Sequence, residues 1–319
     1  MFITPITAAT CVLLTGCAEA PETEAWSTSE APPSVEPLNN GPVRTCPNTC
    51  VADEQMIIGC DNREPRPEST DPTTTAPWRY TGKIHSGQGT CTGALIEPGW
   101  VLSAAHCFES VNGPVGFALA QKAESPEQRP FGTHSVERIY IPRDYIHGNG
   151  SEENNALDYA LLKLNNHIPG SQPANWGYVP WNQLSGKKVR AVGYPGDNPP
   201  PDGGWVGRAW KTGPQALHGS QPYRWLDGGE KGLLLTKLDG SGGQSGSPVY
   251  SFIGGNRILL GVQIGSPVSA CQNGEHWVTR LTPDSVDHID NVVDGGLDFF
   301  WSWQDVPYAP DAGEGDNWP

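Results

Sequence analysis

The apolar residues of this chain fall into short runs broken by glycine, proline and other turn-forming residues, and few stretches hold a helical spacing for long. In "GTCTGALIEPGWVLSAAHCF", residues 89–108, two apolar runs flank the turn "EPGW", the pattern of a β-hairpin. In "NNALDYALLKL", residues 154–164, Leu157, Tyr159, Ala160, Leu161, Leu162 and Leu164 make a near-continuous run that predicts a buried strand. "PVYSF" and "RILLGVQIG" predict two more strands directly after a glycine-rich loop. "PDSVDHIDNVV", residues 283–293, differs: Val286, Ile289 and Val293 recur at helical spacing and predict one short helix. With 39 Gly and 31 Pro in 319 residues, the pattern is that of an all-β domain of short strands and turns.

The two ends of the chain depart from this pattern. Residues 1–17, "MFITPITAATCVLLTGC", are mostly apolar but shorter than the ~20 residues of a bilayer-spanning helix, and small residues precede Cys17, as in an export signal. No Lys or Arg precedes the run. The "LTGC" ending is similar to a bacterial lipoprotein cleavage site, which implies a lipid on Cys17 and a tether to the cell envelope; ordinary secretion with Cys17 discarded is the alternative. Residues 18–56 begin with a stretch rich in Pro, Glu, Ser and Thr that buries too little to offset its ordering entropy, and they read as a tether or pro-segment. Residues 294–319 form an acidic extension in which Phe299, Phe300, Trp301 and Trp303 are too apolar for a free tail; docking on the domain is expected, with a partner-binding patch as the rarer outcome.

Composition narrows the function classes. Hydrophobic residues at 36% and charged residues at 17% fit a folded, soluble protein. A formal charge of −15 argues against a nucleic-acid partner, since phosphate binding needs a basic face and only "SGKKVR" is locally basic. Beyond Cys11 and Cys17 lie Cys46, Cys50, Cys60, Cys91, Cys107 and Cys271, an even number in an exported chain, which points to disulfides. "CPNTC" has no second cysteine pair or histidine cluster to complete a zinc site, so no metal is expected.

Three short stretches carry candidate chemistry. The hairpin at 89–108 sets Cys91 and Cys107 where adjacent strands could bring them together, with His106 beside the second cysteine. A lone histidine in an apolar run is more often a packed core residue than a catalyst. Asp158 stands at the start of a buried strand, where a carboxylate needs partners; an imidazole N–H would supply one, and capping of a backbone N–H is the plainer alternative. "SGGQSGSP", residues 241–248, could be a flexible spacer, yet strand-like runs follow it at once, so it sits inside a domain. There Ser245 would be a nucleophile, and the N–H groups of Gly243 and Ser245 could face a developing oxyanion.

Taken together, "IIGCDNRE" at 57–64, "CTGALI", "SAAHC", "DYALLKL", "VRAVGYPGD" at 189–197 and "GGQSGSP" make the chain resemble the chymotrypsin-like serine proteases, in the bacterial branch that includes the glutamyl endopeptidases. The resemblance covers roughly 57–293 and implies two six-stranded antiparallel barrels, one at about 57–170 and one at about 185–282, closed by a short C-terminal helix. The order His, Asp, Ser fits that fold and not the α/β-hydrolase order. What it implies is a serine endopeptidase with catalytic His106, Asp158 and Ser245, an oxyanion hole at Gly243 and Ser245, and a Cys91–Cys107 disulfide. It also implies a protein or peptide substrate, no cofactor and a monomer. For Cys46, Cys50, Cys60 and Cys271 three pairings stay open, with Cys271 expected to reach back to one of the other three.

The sequence departs from the family at the loop and the pocket. Gln244 stands where trypsin-like enzymes place an Asp that pairs with a freed amino terminus, so that ion pair cannot form, although cleavage before Ile57 is compatible with the resemblance. The pocket is expected from Asp239, Gly240, Gln263 and Ser266. Gln263 and Gly240 replace the His and the Thr or Ser that glutamyl endopeptidases use, and Asp239 stands where trypsin-like enzymes bind Arg or Lys. Basic, glutamyl and apolar specificities all stay open. A catalytically silent binding module or a serine esterase on the same fold is the alternative function.

Overall fold

The computed structural model describes residues 55–57, 61, 63–87, 89–123, 128–148, 152–196, 209–216, 219–221, 232–265, 276–296 and 299–307. Cys17, Cys46, Cys50, Cys60, Cys271 and Ser266 lie outside them, and with them the lipidation site and the remaining cysteine pairings.

The chain enters through β1 (Gln55–Met56) and β2 (Glu64–Pro65) and continues as β3 (Thr81–Ser86), β4 (Gly89–Glu97), β5 (Trp100–Ser103), β6 (Val115–Leu119), β7 (His134–Pro142) and β8 (Ala160–Leu164). There follow β9 (Lys188–Gly193), β10 (Trp210–Ala216), β11 (Gly219–Gln221), β12 (Leu233–Thr236), β13 (Gly240–Ser241), β14 (Pro248–Ile253), β15 (Asn256–Gly265) and β16 (His276–Arg280). A helix, Pro283–Val293, and β17 (Trp301–Asp305) follow, and short helical turns at Trp78–Tyr80, Arg143–Ile146, Glu152–Asn155 and Trp181–Leu184 lie between the strands.

Strands β3 to β8 close on themselves, because β7 pairs with both β6 and β8, and every pairing is antiparallel. The near-continuous apolar runs of the sequence lie in this barrel. All of β5 is buried, as are Ala94, Leu95 and Ile96 of β4. A strand buried on both faces has no polar side to alternate with, which is why these runs read as unbroken.

The second sheet runs β11-β12-β16-β15-β14-β9-β10-β2. Leu184, Val189, Ala191, Leu234, Leu238, Val249, Leu260 and Val278 fill its own core. Its end strands β11 and β2 do not pair with each other among the described residues; a side-chain contact, the Asp239 N–H just past β12 on Thr212 Oγ1 at 3.1 Å, links the β12 side to β10.

The helix forms where its spacing predicts. Thr282 and Ser285 cap it reciprocally, Ser285 N–H on Thr282 Oγ1 at 3.2 Å and Thr282 N–H on Ser285 Oγ at 2.7 Å, with Pro283 opening the first turn. Ile289 is fully buried, and Val286 and Val293 pack against the core. The C-terminal extension docks as β17 on β7, with Trp301 opposite Pro142. Docking is partial: Trp301 is sealed and its indole N–H donates to the His288 carbonyl at 3.1 Å, while Phe300 stacks on His288. Phe299 and Trp303, expected to dock as well, stay exposed, while His288 of the helix meets Trp301 and Phe300.

Candidate active site

His106 follows β5 on a short 3-10 turn, Ala105–Phe108. Burial shapes the turn. Ala104, Ala105 and Phe108 are sealed in the barrel core, while 32% of the His106 side-chain surface stays open. Cys107 is joined to Cys91 of β4 by a disulfide, which staples the turn to the neighbouring hairpin strand.

Asp158, just before β8, is 4% exposed. Its Oδ1 accepts the His106 backbone N–H at 2.9 Å, and its Oδ2 accepts the ring Nδ1–H at 2.7 Å. A carboxylate has no proton to give, so Nδ1 carries the hydrogen and Nε2 keeps its lone pair. From the second sheet, Thr279 Oγ1 lies 2.9 Å and 3.2 Å from the Asn155 and Asp158 carbonyl oxygens and shares its proton between them. Burial alone would lower the His106 pKa. The Asp158 charge and hydrogen bond, with Glu109 behind them, outweigh it and hold the imidazole above its ordinary value. Glu109 is in turn held by the Tyr145 hydroxyl at 2.6 Å.

Ser245 is half-buried in the turn between β13 and β14. That turn begins with the Gln244 N–H on the Ser241 carbonyl at 3.0 Å and Gly243 at φ 88°, the left-handed third position that a type II turn requires. A Cβ on Gly243 would lie 2.5 Å from the Tyr194 carbonyl oxygen, so glycine is demanded twice over. The Gly242 carbonyl accepts the Gly196 N–H at 2.6 Å. In a planar trans peptide the next N–H points the opposite way, so the Gly243 N–H is turned from that bond.

One residue ties this loop to the histidine, and sequence reasoning missed it. Thr92, next to Cys91 and fully buried, gives its backbone N–H to the Ser245 carbonyl at 2.8 Å and its hydroxyl to the Gly243 carbonyl at 2.9 Å. The hydroxyl accepts the Tyr194 N–H at 2.9 Å, and the Thr92 carbonyl accepts the Ser103 hydroxyl at 2.7 Å. Gly246 packs so closely on Ser103, Thr92 and Ala104 that a Cβ would strike all three. The Ser245 backbone therefore lies against the strand ends that carry the Cys91–Cys107 staple and His106. A polar residue inside the buried run "CTGALI" was the available signal.

Of the expected pocket residues, Gly240 and Gln263 meet: a Cβ on Gly240 would lie 2.5 Å from Gln263 Nε2. The same Cβ would lie 2.8 Å from His276 Cε1, and Gln263 Nε2 is 2.7 Å from His276 Nδ1. His276, fully buried at the start of β16, is a second residue that sequence reading did not find. Asp239 is fully buried beside them in the chain. Arg63, buried against Ser241 and Gln244, is the third.

The profile of the family described as Trypsin matches residues 68–207. The chain carries a trypsin-family domain. Its curated relatives include a glutamyl endopeptidase of Bacillus licheniformis, 31% identical over 200 residues, which cover 61% of this chain and 55% of the relative. An extracellular metalloprotease of Bacillus subtilis is 28% identical over 61% of this chain and 57% of its own length, and serine protease 23 of Homo sapiens 29% over 54% and 45%. The chain thus spans about half the length of the curated relatives it matches. Among solved structures, a Glu endopeptidase in complex with MPD superposes at TM-score 0.57 with 21% identity, covering 74% of this chain and 98% of that one. A scabies mite inactivated protease paralogue superposes at 0.52 with 18% identity, covering 72% and 99%. These two likenesses establish the trypsin-like fold of the domain. Among the described residues no histidine, cysteine and carboxylate cluster is arranged to hold a metal, and no helix is long and apolar enough to cross a membrane.

Proposed function

We propose that the chain is an exported serine endopeptidase that hydrolyses protein or peptide bonds through an acyl-enzyme. The observation that carries this reading is the Asp158–His106 pair, in which both carboxylate oxygens grip the histidine, so that the neutral ring carries its proton on Nδ1 and offers Nε2 as a base. Ser245 Oγ attacks the scissile carbonyl while His106 Nε2 takes its proton; the same proton passes to the leaving amine as the tetrahedral intermediate collapses. Water then repeats the sequence on the ester, and His106 returns the proton to Ser245. Asp158 keeps Nδ1 protonated and stabilises the imidazolium formed at each step. The N–H groups of Gly243 and Ser245 receive the oxyanion, a role supported by the Gly243 N–H being turned from the Gly242–Gly196 bond. No cofactor enters this scheme.

The substrate pocket is proposed at Asp239, Gly240, Gln263 and Ser266, with His276 added by its contact to Gly240 and Gln263. Export, and a lipid on Cys17 that would tether a monomer to the cell envelope, rest on the amino-terminal sequence alone. A fluorophosphonate probe tests the catalytic reading: labelling of the wild type and not of Ser245→Ala is expected. A wild type that is neither labelled nor active on a peptide library is a silent binding module; turnover of esters alone marks an esterase.

A further inference from the structure

The loop that carries Ser245 rests on a cation from far away in the chain. The Arg63 side chain is 1% exposed, and its Nη1 donates to Ser241 Oγ at 3.0 Å and to Gln244 Oε1 at 3.4 Å. Gln244 Oε1 also accepts the Ser241 N–H at 3.0 Å; with two donors facing that oxygen, the orientation of the amide is fixed. On its other side the guanidinium is gripped by Asp61, Nε on Oδ1 at 3.0 Å and Nη2 on Oδ2 at 2.9 Å. Asp61 Oδ1 also accepts the Arg63 N–H at 3.0 Å. The same segment supplies β1, whose Gln55 and Met56 pair with Ser241 and Gly240. Gln55 and Met56 thus hold Gly240 and Ser241 by a backbone ladder, and Arg63 holds Ser241 and Gln244 by a buried charge that Asp61 anchors through two hydrogen bonds.

The Gly242–Gly243 peptide is held from one side by the Gly196 N–H on the Gly242 carbonyl at 2.6 Å and the Thr92 hydroxyl on the Gly243 carbonyl at 2.9 Å. Two consecutive glycines still transmit any shift of the residues that flank them. The guanidinium fixes those flanking residues, Ser241 and Gln244. It is planar, keeps its charge at any working pH, and has donors enough to serve Asp61, Ser241 and Gln244 together. We propose that Arg63 is a positioning residue that holds the Ser241–Gln244 turn in its reactive arrangement within the uncut chain, so that order at this loop requires no freed amino terminus. The proposal rests on the serine-endopeptidase reading. It extends that reading to regulation: the segment on either side of Ile57 supports the catalytic loop before any cleavage.

The test uses the full-length chain, with intact mass confirming the Met56–Ile57 bond, and follows peptide turnover and fluorophosphonate labelling across pH. A wild type that neither turns over peptide nor labels at Ser245 defeats the endopeptidase reading and this proposal with it. With an active wild type, Arg63→Ala is expected to lower kcat roughly 100-fold, as loss of an oxyanion donor does, with KM changed by less than about threefold. Arg63→Lys is expected to keep neutral-pH activity and to gain an alkaline limb around ~10.4, the ordinary lysine value, since burial lowers the amine's pKa and the Asp61 carboxylate raises it. The wild type is expected to show no such limb. If Arg63→Ala fails to fold, the Arg63→Lys profile decides alone. A lysine variant with the wild-type pH profile, a folded alanine variant with unchanged kcat, or activity confined to chains cut before Ile57 would each overturn the proposal.

Discussion

The Asp158–His106 pair has consequences that kinetics can read directly. Asp158→Asn offers Nδ1 a donor or a weaker acceptor and so unsettles the tautomer; kcat is expected to fall by about 10⁴ while the circular dichroism of the fold is kept. The pH profile gives the sign. Protonated His106 cannot take the serine proton, and its pKa is held above the ordinary value, so the acid limb of kcat/KM is expected above ~6.5. In Asp158→Asn the carboxylate's upward push is gone and burial's downward one is left, so whatever activity persists should show its limb at lower pH. Stability follows the same linkage: because folding favours protonated His106, its contribution is complete below ~6.5 and is lost as pH rises through the raised folded value. At the proposed pocket, Gly240→Ala would press a methyl onto Gln263 and His276. KM is expected to rise most for substrates with the largest side chain at the cleaved residue, in a matched Arg, Glu and Leu panel. That panel also decides the specificity that Asp239 and His276 leave open.

At the scale of elements, β17 and the helix before it belong to the folded domain. Trp301 is fully buried between β7 and the helix, with aromatic contacts to Tyr140, Tyr159 and Phe300. Trp301→Ala is expected to cost about 3–5 kcal/mol in urea unfolding, the usual range for deleting a buried tryptophan. Trp303→Ala, half-exposed on the same strand, should cost far less. The exposed Arg138–Asp305 pair, at 2.6 Å, contributes at most about 1 kcal/mol, so loss of the extension would be felt through Trp301 and not through its charges.

For the whole molecule, the site is a junction of two sheets, and Thr279 is one of its ties. Its hydroxyl reaches from β16 to the backbone that presents Asp158. Thr279→Val keeps the shape and removes the proton that both carbonyls share; about 1–3 kcal/mol of stability should be lost, with a fall in kcat and little change in KM. Equilibrium unfolding together with steady-state kinetics checks both halves of that expectation.

What was legible in the sequence was whatever depends on local pattern. Unbroken apolar runs marked strands buried on both faces, Val286, Ile289 and Val293 marked the helix, and the order of His106, Asp158 and Ser245 in their distinctive surroundings marked the family. Those signals are short-ranged, because strand burial and helix spacing repeat within a few residues. Tertiary structure alone decided the rest. Thr92 looks like any strand threonine until β4 is laid beside the serine loop, and His276 meets Gln263 only because β15 and β16 pair in one register. Arg63 is 178 residues from Ser241 in sequence and 3.0 Å from it in space. Such partners leave no periodic trace, since a hydrogen bond across folded sheets constrains one atom pair and not a pattern. The fold brings them together by laying a closed barrel against a second sheet, and only then do their charges and protons acquire a role.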